Sequence, residues 1–318
     1  MRGLVEILVS SVWAVLMEQR NNHVRHASTY FDLSTGTVAF QNLERKFTPS
    51  TLNSGIVMKN IVRVLGILAL LVLGAFNNAG TTKYKVRKVI IDAGHGGHDS
   101  GALGKFSKEK DIALQIALEL GGIIKKHIQG VEVVYTRQTD AFVTLHGRAE
   151  IANKNNADVF ISIHCNATPK GVAAQGTETY TMGLHASRHN LEVAKRENEV
   201  ILMEDDYQAN YQGFDPKLPE LHILFSLYQN AYNDNSLKLA QNIQYQFENR
   251  VGRKSRGVKQ AGFLVLWKTT APSVLVEVGF ITHPQEEKYL NSKSGQEYIA
   301  SGIFRAFRDY KNELEANR

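Results

Sequence analysis

The segment Val159-Phe160-Ile161-Ser162-Ile163-His164 is a short apolar run that ends in a histidine. A run of this length, rich in β-branched residues, is typical of a strand buried on both faces. Similar runs lie upstream at residues 86–92 and downstream at Ser273–Phe280, and residues 108–127 carry apolar side chains at helical spacing. Strands that alternate with helices predict an α/β fold, with a mixed or mainly parallel sheet flanked by helices in a single domain.

Residues 183–235 interrupt this alternation. Further strands are predicted at 131–136 and 177–182, and further helices at 145–155, 237–251 and 296–314. The interrupting segment is polar and charged, but the residues after Pro219 have apolar side chains at helical spacing. It is interpreted as an insertion with its own short helix, and insertions of this length usually have a function.

The N-terminal region has the order of a secretory signal. Residues 59–63 carry two positive charges, an apolar run of thirteen residues follows at 64–76, and small residues come next. This order predicts a signal peptide at 58–79, because the run is shorter than the ~20 residues of a spanning helix. A buried core helix and an uncleaved membrane anchor are the alternatives. Met58 stands in the position of an initiator, so residues 1–57 are interpreted as a non-native upstream extension and 80–318 as the mature domain.

Composition excludes several classes of protein. Residues 1–79 hold seven of the 37 basic and four of the 31 acidic residues, which leaves a net charge of +3 for the rest. That charge is too small to indicate nucleic-acid binding. The single cysteine, Cys165, excludes an intramolecular disulfide and a multi-cysteine zinc site. A bound metal must therefore be held by histidines and carboxylates.

Four polar residues occupy positions from which they can converge. His95 follows the first predicted strand, His164 ends the third, Glu277 lies within the last, and Glu109 opens the helix after the glycine-rich turn. Ligands of open α/β sheets bind at the carboxyl ends of strands. Two imidazoles and a carboxylate suit a catalytic zinc ion, and a second carboxylate can accept a proton from the attacking water. Each residue also has a plainer interpretation, as a turn histidine or as the partner in a structural salt bridge.

Eight ordered segments around these residues carry a family resemblance. They are residues 91–97, 109–111, 136–140, 145–153, 161–167, 176–180, 256–259 and 272–280. In these segments, which extend over nearly all of 86–310, the chain resembles the family 3 N-acetylmuramoyl-L-alanine amidases. The resemblance implies zinc held by His95, Glu109 and His164, with Glu277 as the catalytic carboxylate.

The same resemblance implies the reaction and its setting. The reaction is hydrolysis of the amide between N-acetylmuramic acid and L-alanine in peptidoglycan. The expected enzyme is a monomer that is exported to the periplasm or cell envelope, with no stable membrane span after the signal is cleaved and no nucleic acid as a partner.

The insertion also has a counterpart in this family. Amidases of the cell-division type are similar in carrying a helix that covers the active site until a protein activator displaces it. In some, a glutamate occupies the open zinc position, and Glu220 is the candidate for that role here. The alternative is that Glu220 is a surface carboxylate stabilised at a helix N-terminus.

Two other functions compete with this interpretation. A non-catalytic wall-binding protein on the same fold is expected to have lost a ligand or Glu277, and all four residues are present. Another zinc hydrolase, such as a carboxypeptidase acting on stem peptides, would share the zinc ligands but not the eight segments. A serine hydrolase is disfavoured because the chain has no G-x-S-x-G sequence.

Overall fold

Six of the eight described strands form one mixed sheet, and its parallel strands include the two that carry His164 and Glu277. The computed structural model describes residues 29–31, 38–40, 84–184, 187–205, 207–226 and 232–316, except the side chains of 29–31, 38–40, 219, 223, 225 and 226. The strands are β1 Thr29–Phe31, β2 Val38–Phe40, β3 Lys88–Ala93, β4 Glu132–Tyr135, β5 Val159–Asn166, β6 Thr177–Met182, β7 Ser255–Ala261 and β8 Ser273–Phe280. The six-stranded sheet has the order β4-β3-β5-β8-β6-β7. Its first four strands are parallel, and β6 runs antiparallel to β8.

Helices connect these strands. They are α1 Glu109–His127, α2 Leu145–Lys154, α3 Arg188–Asn198, α4 Tyr207–Asn210, α5 Pro219–Ser226, α6 Asn233–Gln246, α7 Leu264–Trp267, α8 Pro284–Asn291 and α9 Lys293–Ala316. Helices α1, α6 and α9 pack together over the sheet and bury an aliphatic core. A second apolar cluster lies between the sheet and the segments around α2, α3 and α7. The predicted α/β fold with helices on a mixed sheet is therefore confirmed.

The N-terminal region is a separate unit. The chain divides into residues Met1–Gly80 and Thr81–Arg318. In the first unit, β1 and β2 pair antiparallel. The predicted signal segment 58–79 lies outside the described residues, as does the rest of 1–57. Among the described helices, none combines the length and the apolar character needed to span a bilayer.

A buried ion pair fixes the end of β3. Asp92 is fully buried and accepts hydrogen bonds from Thr136 Oγ1 and Ser162 Oγ, both at 2.6 Å. It also pairs with Arg148 Nη1 at 2.7 Å. The same guanidinium donates through Nη2 to the carbonyl of His95 at 2.7 Å. The turn that carries His95 is thereby tied to the central strands and to α2.

We expect Asp92→Ala to destabilise the protein strongly. The substitution leaves the Arg148 guanidinium, which is 2% exposed, without its carboxylate. Breaking a buried pair in this way costs about 3–5 kcal/mol in the free energy of unfolding, which urea denaturation followed by circular dichroism measures. The exposed Asp111, replaced by alanine, is the control. A loss for Asp92→Ala no larger than that of the control would contradict the role given to the pair.

Candidate metal centre

His95 lies in a tight turn next to glycines, at which a larger residue would collide with the side chains of the site. Its φ is 59°, in the left-handed region that is rare for residues other than glycine. The next strand passes close by, since a Cβ at Gly94 would lie 2.5 Å from the His164 ring. Gly101, at φ 62°, is similarly close to His95 and Glu109. Backbone strain of this kind concentrates at functional sites, and here it brings two imidazoles together with ring centroids 4.9 Å apart.

Four buried side chains direct one ligand atom each to a common point. They are His95, Glu109, His164 and Glu197, whose ligand atoms all lie within 4.8 Å of one another. Glu109 Oε1 is 3.1 Å from both His95 Nε2 and His164 Nδ1. Glu197 Oε2 is 3.2 Å from the first nitrogen and 3.0 Å from the second. The two nitrogens and the two oxygens thus surround a small space.

Neighbouring groups orient these side chains. His95 Nδ1 bonds to Asp99 Oδ2 at 2.7 Å, which leaves Nε2 turned to the common point. Carboxylates that hold a ligand histidine in this way are usual around metal ions. Glu109 accepts from the backbone N–H of Cys165 and of Ala102, each at 2.7 Å. The Cys165 side chain itself is buried in the aliphatic core.

This donor set fits a zinc ion. Bonds of 2.0–2.1 Å in a tetrahedron place the ligand atoms about 3.3 Å apart. The nitrogen-to-oxygen separations here are 3.0–3.2 Å, and all four ligand atoms lie within 4.8 Å of one another. Within the described residues, His95 Nε2 and Glu197 Oε2 are buried atoms without a hydrogen-bond partner. Buried polar groups rarely lack one. A cation bound between them would satisfy both atoms and would offset the repulsion between two buried carboxylates.

The pKa values of Glu109 and His164 are strongly shifted by the neighbouring charged side chains of the group. Burial opposes ionisation of Glu109, but His95 and His164 together outweigh it and lower the pKa of this carboxyl to about 2. Burial also opposes protonation of His164, yet Glu197 and Glu109 together raise the pKa of the imidazole to about 9. Strong mutual perturbation of titratable groups is a mark of functional sites.

Glu277 lies beside this group on the next strand. It pairs with His164 in the register of β5 and β8, and it is fully buried. Burial raises the pKa of the Glu277 carboxyl well above its usual range; Arg196 opposes this, and repulsion from Glu197 adds to it. Its Oε2 has no hydrogen-bond partner among the described residues. The geometry suits a group that accepts and returns a proton.

Helix α3, from the insertion, covers the group with two consecutive charged residues. Arg196 Nη2 lies 3.3 Å from Glu277 Oε1 and 2.8 Å from Glu197 Oε1. Burial opposes ionisation of Glu197, but Arg196 and His164 outweigh it and hold the pKa of the carboxyl well below its usual range. Next to α3, a cleft of about 310 Å³ opens between the loop that carries Asp99 and the 3₁₀ turn Glu199–Met203.

Local contacts explain why α3 lies there. Asn190, Val193, Ala194 and Glu197 are buried and follow one another at helical spacing, so they form one face of the helix. At its end, Asn198 donates to the carbonyl of Gly262 at 2.8 Å and accepts from the N–H of Leu264 at 2.9 Å. Glu197 is thereby directed inward.

The structure brings together His95, Glu109, His164 and Glu277, the four residues singled out in the sequence. It does not bring Glu220 to them, because Glu220 is exposed in the first turn of α5. Glu197 from helix α3, and not Glu220, is the second carboxylate of the buried group. Neither Glu197 nor Arg196 was predicted, since neither lies in a segment that carries the resemblance. The signal that identifies Glu197 is its place at the end of the buried stripe of α3.

Fold and site together define an α/β protein with a candidate metal centre at the strand ends, and comparison with known proteins gives the family. The chain belongs to the N-acetylmuramoyl-L-alanine amidases: the model of that family matches residues 89–309. It is 36% identical over 220 residues to N-acetylmuramoyl-L-alanine amidase AmiA of Escherichia coli (strain K12), covering 68% of this chain and 73% of that protein. The family resemblance predicted from the sequence is thus confirmed.

Solved structures agree. The N-acetylmuramoyl-L-alanine amidase from Clostridium difficile 630 is 30% identical, with a TM-score of 0.54 over 72% of this chain and 98% of that one. The CwlD amidase from Clostridioides difficile, solved in complex with the GerS lipoprotein, is 26% identical with a TM-score of 0.53 over 71% of this chain and 99% of that one.

Proposed function

We propose that this chain hydrolyses the amide between N-acetylmuramic acid and L-alanine in peptidoglycan, with zinc held by His95, Glu109 and His164. The observation that carries the proposal is the convergence of these three side chains beside the buried carboxylate of Glu277. The proposal draws further support from the amidase family to which the chain belongs. When bound, zinc supplies a positive charge that acidifies water and polarises a carbonyl.

Glu277 carries the proton in this mechanism. Its carboxylate accepts a proton from the attacking water while the oxygen of that water bonds to the lactyl carbonyl carbon. The C–N bond then breaks, and Glu277 returns the proton to the leaving amine of L-alanine. Burial of Glu277 supports this role, because it raises the pKa of the carboxyl above its usual range and so makes the carboxylate a stronger base.

Peptidoglycan digestion tests the reaction. Purified peptidoglycan is treated with the zinc-loaded chain, in wild-type form and as Glu197→Ala, and the products are analysed by mass spectrometry. We expect free stem peptides that begin with L-alanine. Cleavage inside the stem would favour a carboxypeptidase, cleavage of the glycan another hydrolase, and binding without cleavage a wall-binding protein; each would refute the proposal.

Zinc binding gives a test that does not depend on activity. We expect the chelator-treated chain to bind one zinc ion, and zinc at 100 times its dissociation constant to stabilise the fold by about 2.7 kcal/mol. His95→Ala or His164→Ala is expected to weaken the affinity at least ~100-fold, because each removes a ligand. Calorimetric titration and thermal unfolding measure the two effects. His127→Ala, on the exposed end of α1, is the control and should match the wild type.

The insertion is proposed to keep the resting enzyme closed. Glu197 Oε2 lies about 3 Å from both imidazole nitrogens, a place from which it would act as a fourth ligand of a bound metal. Arg196 neutralises Glu277 from the same helix. A protein activator would displace α3 and release both residues at once. The CwlD relative, which was solved with a lipoprotein, supports a protein partner of this kind.

The enzyme is further proposed to act in the periplasm or cell envelope as a monomer, after export by the signal segment 58–79. Support comes from the order of basic, apolar and small residues in that segment. The amino-terminal sequence of the protein recovered from an envelope fraction tests it. A start near residue 80 is expected, and a start upstream of residue 58 would contradict it.

A further inference from the structure

A second groove is formed by loops near the metal centre, and it shares no lining residue with the cleft at His95. It has a volume of about 320 Å³ and is lined by Leu103, Gly104, Lys105, Thr168, Pro169, Lys170, Gly171, Val172 and Thr282. No described residue of the insertion 183–235 is among them. Helix α3 therefore covers the candidate metal centre but contributes no residue to the lining of this groove.

The walls of the groove continue directly from the catalytic residues. Leu103 follows Ala102, whose N–H donates to Glu109. Thr168 follows Ala167, whose carbonyl accepts from the same Arg196 guanidinium that pairs with Glu277. Both walls thus begin one residue beyond groups that contact the site, which is the basis for expecting a substrate to extend from the metal centre into the groove.

These walls are fixed in place by hydrogen bonds. Glu287 Oε1 accepts from the N–H of Phe106 at 2.8 Å and from Ser107, which anchors the first loop. The N–H of Thr168 donates to Thr282 Oγ1 at 3.0 Å and joins the other two loops. A preformed groove loses little conformational entropy when it binds a ligand.

The lining is cationic and aliphatic. Lys105 and Lys170 are exposed, and neither ammonium pairs with a carboxylate among the described residues. Leu103 and Val172 are 59% and 56% exposed. Unpaired ammonium groups between aliphatic side chains suit a peptide that carries both carboxylates and alkyl groups.

We propose that this groove binds the stem peptide of the substrate, and that Lys105 and Lys170 recognise its carboxylates. The proposal rests on the proposed amidase function, which places the first stem residue at the metal centre. Because α3 does not reach the groove, the closed enzyme binds the stem peptide before it is activated. The groove then determines which stem peptides bind according to their charge, and α3 controls whether the bound substrate is hydrolysed.

Equilibrium binding tests the proposal without any turnover. The probe is the synthetic tripeptide L-alanyl-γ-D-glutamyl-L-lysine with free carboxylates, compared by calorimetry with the same tripeptide in which both carboxylates are amides. We expect the wild-type full chain to bind the carboxylate form about tenfold more tightly, because two partly exposed ion pairs contribute several-fold each. In the double variant Lys105→Ala/Lys170→Ala this preference should disappear. Lys126→Ala, an exposed lysine on α1, should retain it.

The outcomes separate the groove from the reaction. The proposal that the groove binds the stem peptide is overturned by either of two results. One is equal binding of both tripeptides by the wild type, and the other is a preference for the carboxylate form that survives in the double variant. In hydrolysis of soluble muropeptides by a Glu197→Ala chain, the two lysine substitutions should raise KM about tenfold and leave kcat within about twofold. A fall in kcat instead also overturns the assignment. Tight, lysine-dependent binding with no hydrolysis would refute the amidase function and leave the groove standing.

Discussion

Glu277→Gln is expected to lower kcat by about 10³-fold while zinc affinity and fold stability stay near those of the wild type. Glutamine has the shape of glutamate but cannot accept a proton, so the attacking water loses its base and the leaving amine loses its acid. The residue is not among the four that surround the candidate metal position. Its loss should therefore act on the chemical step and not on the metal.

The measurement uses a background in which the site is open. Initial rates on soluble muropeptides are compared between Glu197→Ala and Glu197→Ala/Glu277→Gln, both saturated with zinc. Zinc titration and the thermal midpoint are recorded for each. Glu248→Gln, an exposed glutamate of the π-helical turn Phe247–Val251, is the matched control for the chemistry of the substitution. A Glu277→Gln enzyme that keeps a tenth or more of its kcat would show that another group moves the proton.

Much of the fold could be predicted because buried strands and long amphipathic helices leave strong patterns. The strands Thr177–Met182 and Ser273–Phe280 begin and end at their predicted residues, and helix α1 begins one residue after its predicted start. By contrast, β7 at Ser255–Ala261 was not predicted. It is an edge strand with mostly half-buried, polar residues, so it lacks the apolar run that identified the others.

The site was predictable where ligands lie at the ends of apolar strands. His164 and Glu277 interrupt or end such runs, and their convergence follows from parallel pairing of β5 and β8. Glu197 was not predictable in this way, because it reaches the site through tertiary packing of α3. The choice of Glu220 relied on a helix start after Pro219, and that helix directs this glutamate to solvent. Local sequence identifies a helix more readily than the face that it buries.

Glu197→Ala is expected to raise the rate of the full chain by about 30-fold or more. In the proposed zinc-bound form, α3 would be held over the site by Glu197, whose Oε2 lies about 3 Å from His95 Nε2 and His164 Nδ1 and would contact the metal, and by the pairing of Arg196 with Glu277. Removing one member of a buried charged pair costs about 2–5 kcal/mol, and that free energy is lost from the closed state alone. A loss of about 2 kcal/mol from the closed state raises the population of the open state by about 30-fold. It also leaves the fourth position of the zinc free for water.

The assay is hydrolysis of peptidoglycan without an activator and with saturating zinc, since removal of one donor also weakens zinc binding. Two glutamates provide matched controls: Glu192, exposed on the same helix, and Glu220, exposed on α5. Neither Glu192→Ala nor Glu220→Ala should change the rate. A rise for Glu220→Ala alone would restore that residue as the blocking group. A fall in the rate for Glu197→Ala at saturating zinc would show that the active enzyme needs Glu197 as a metal ligand. In that case, loss of the carboxylate would reduce activity instead of relieving inhibition.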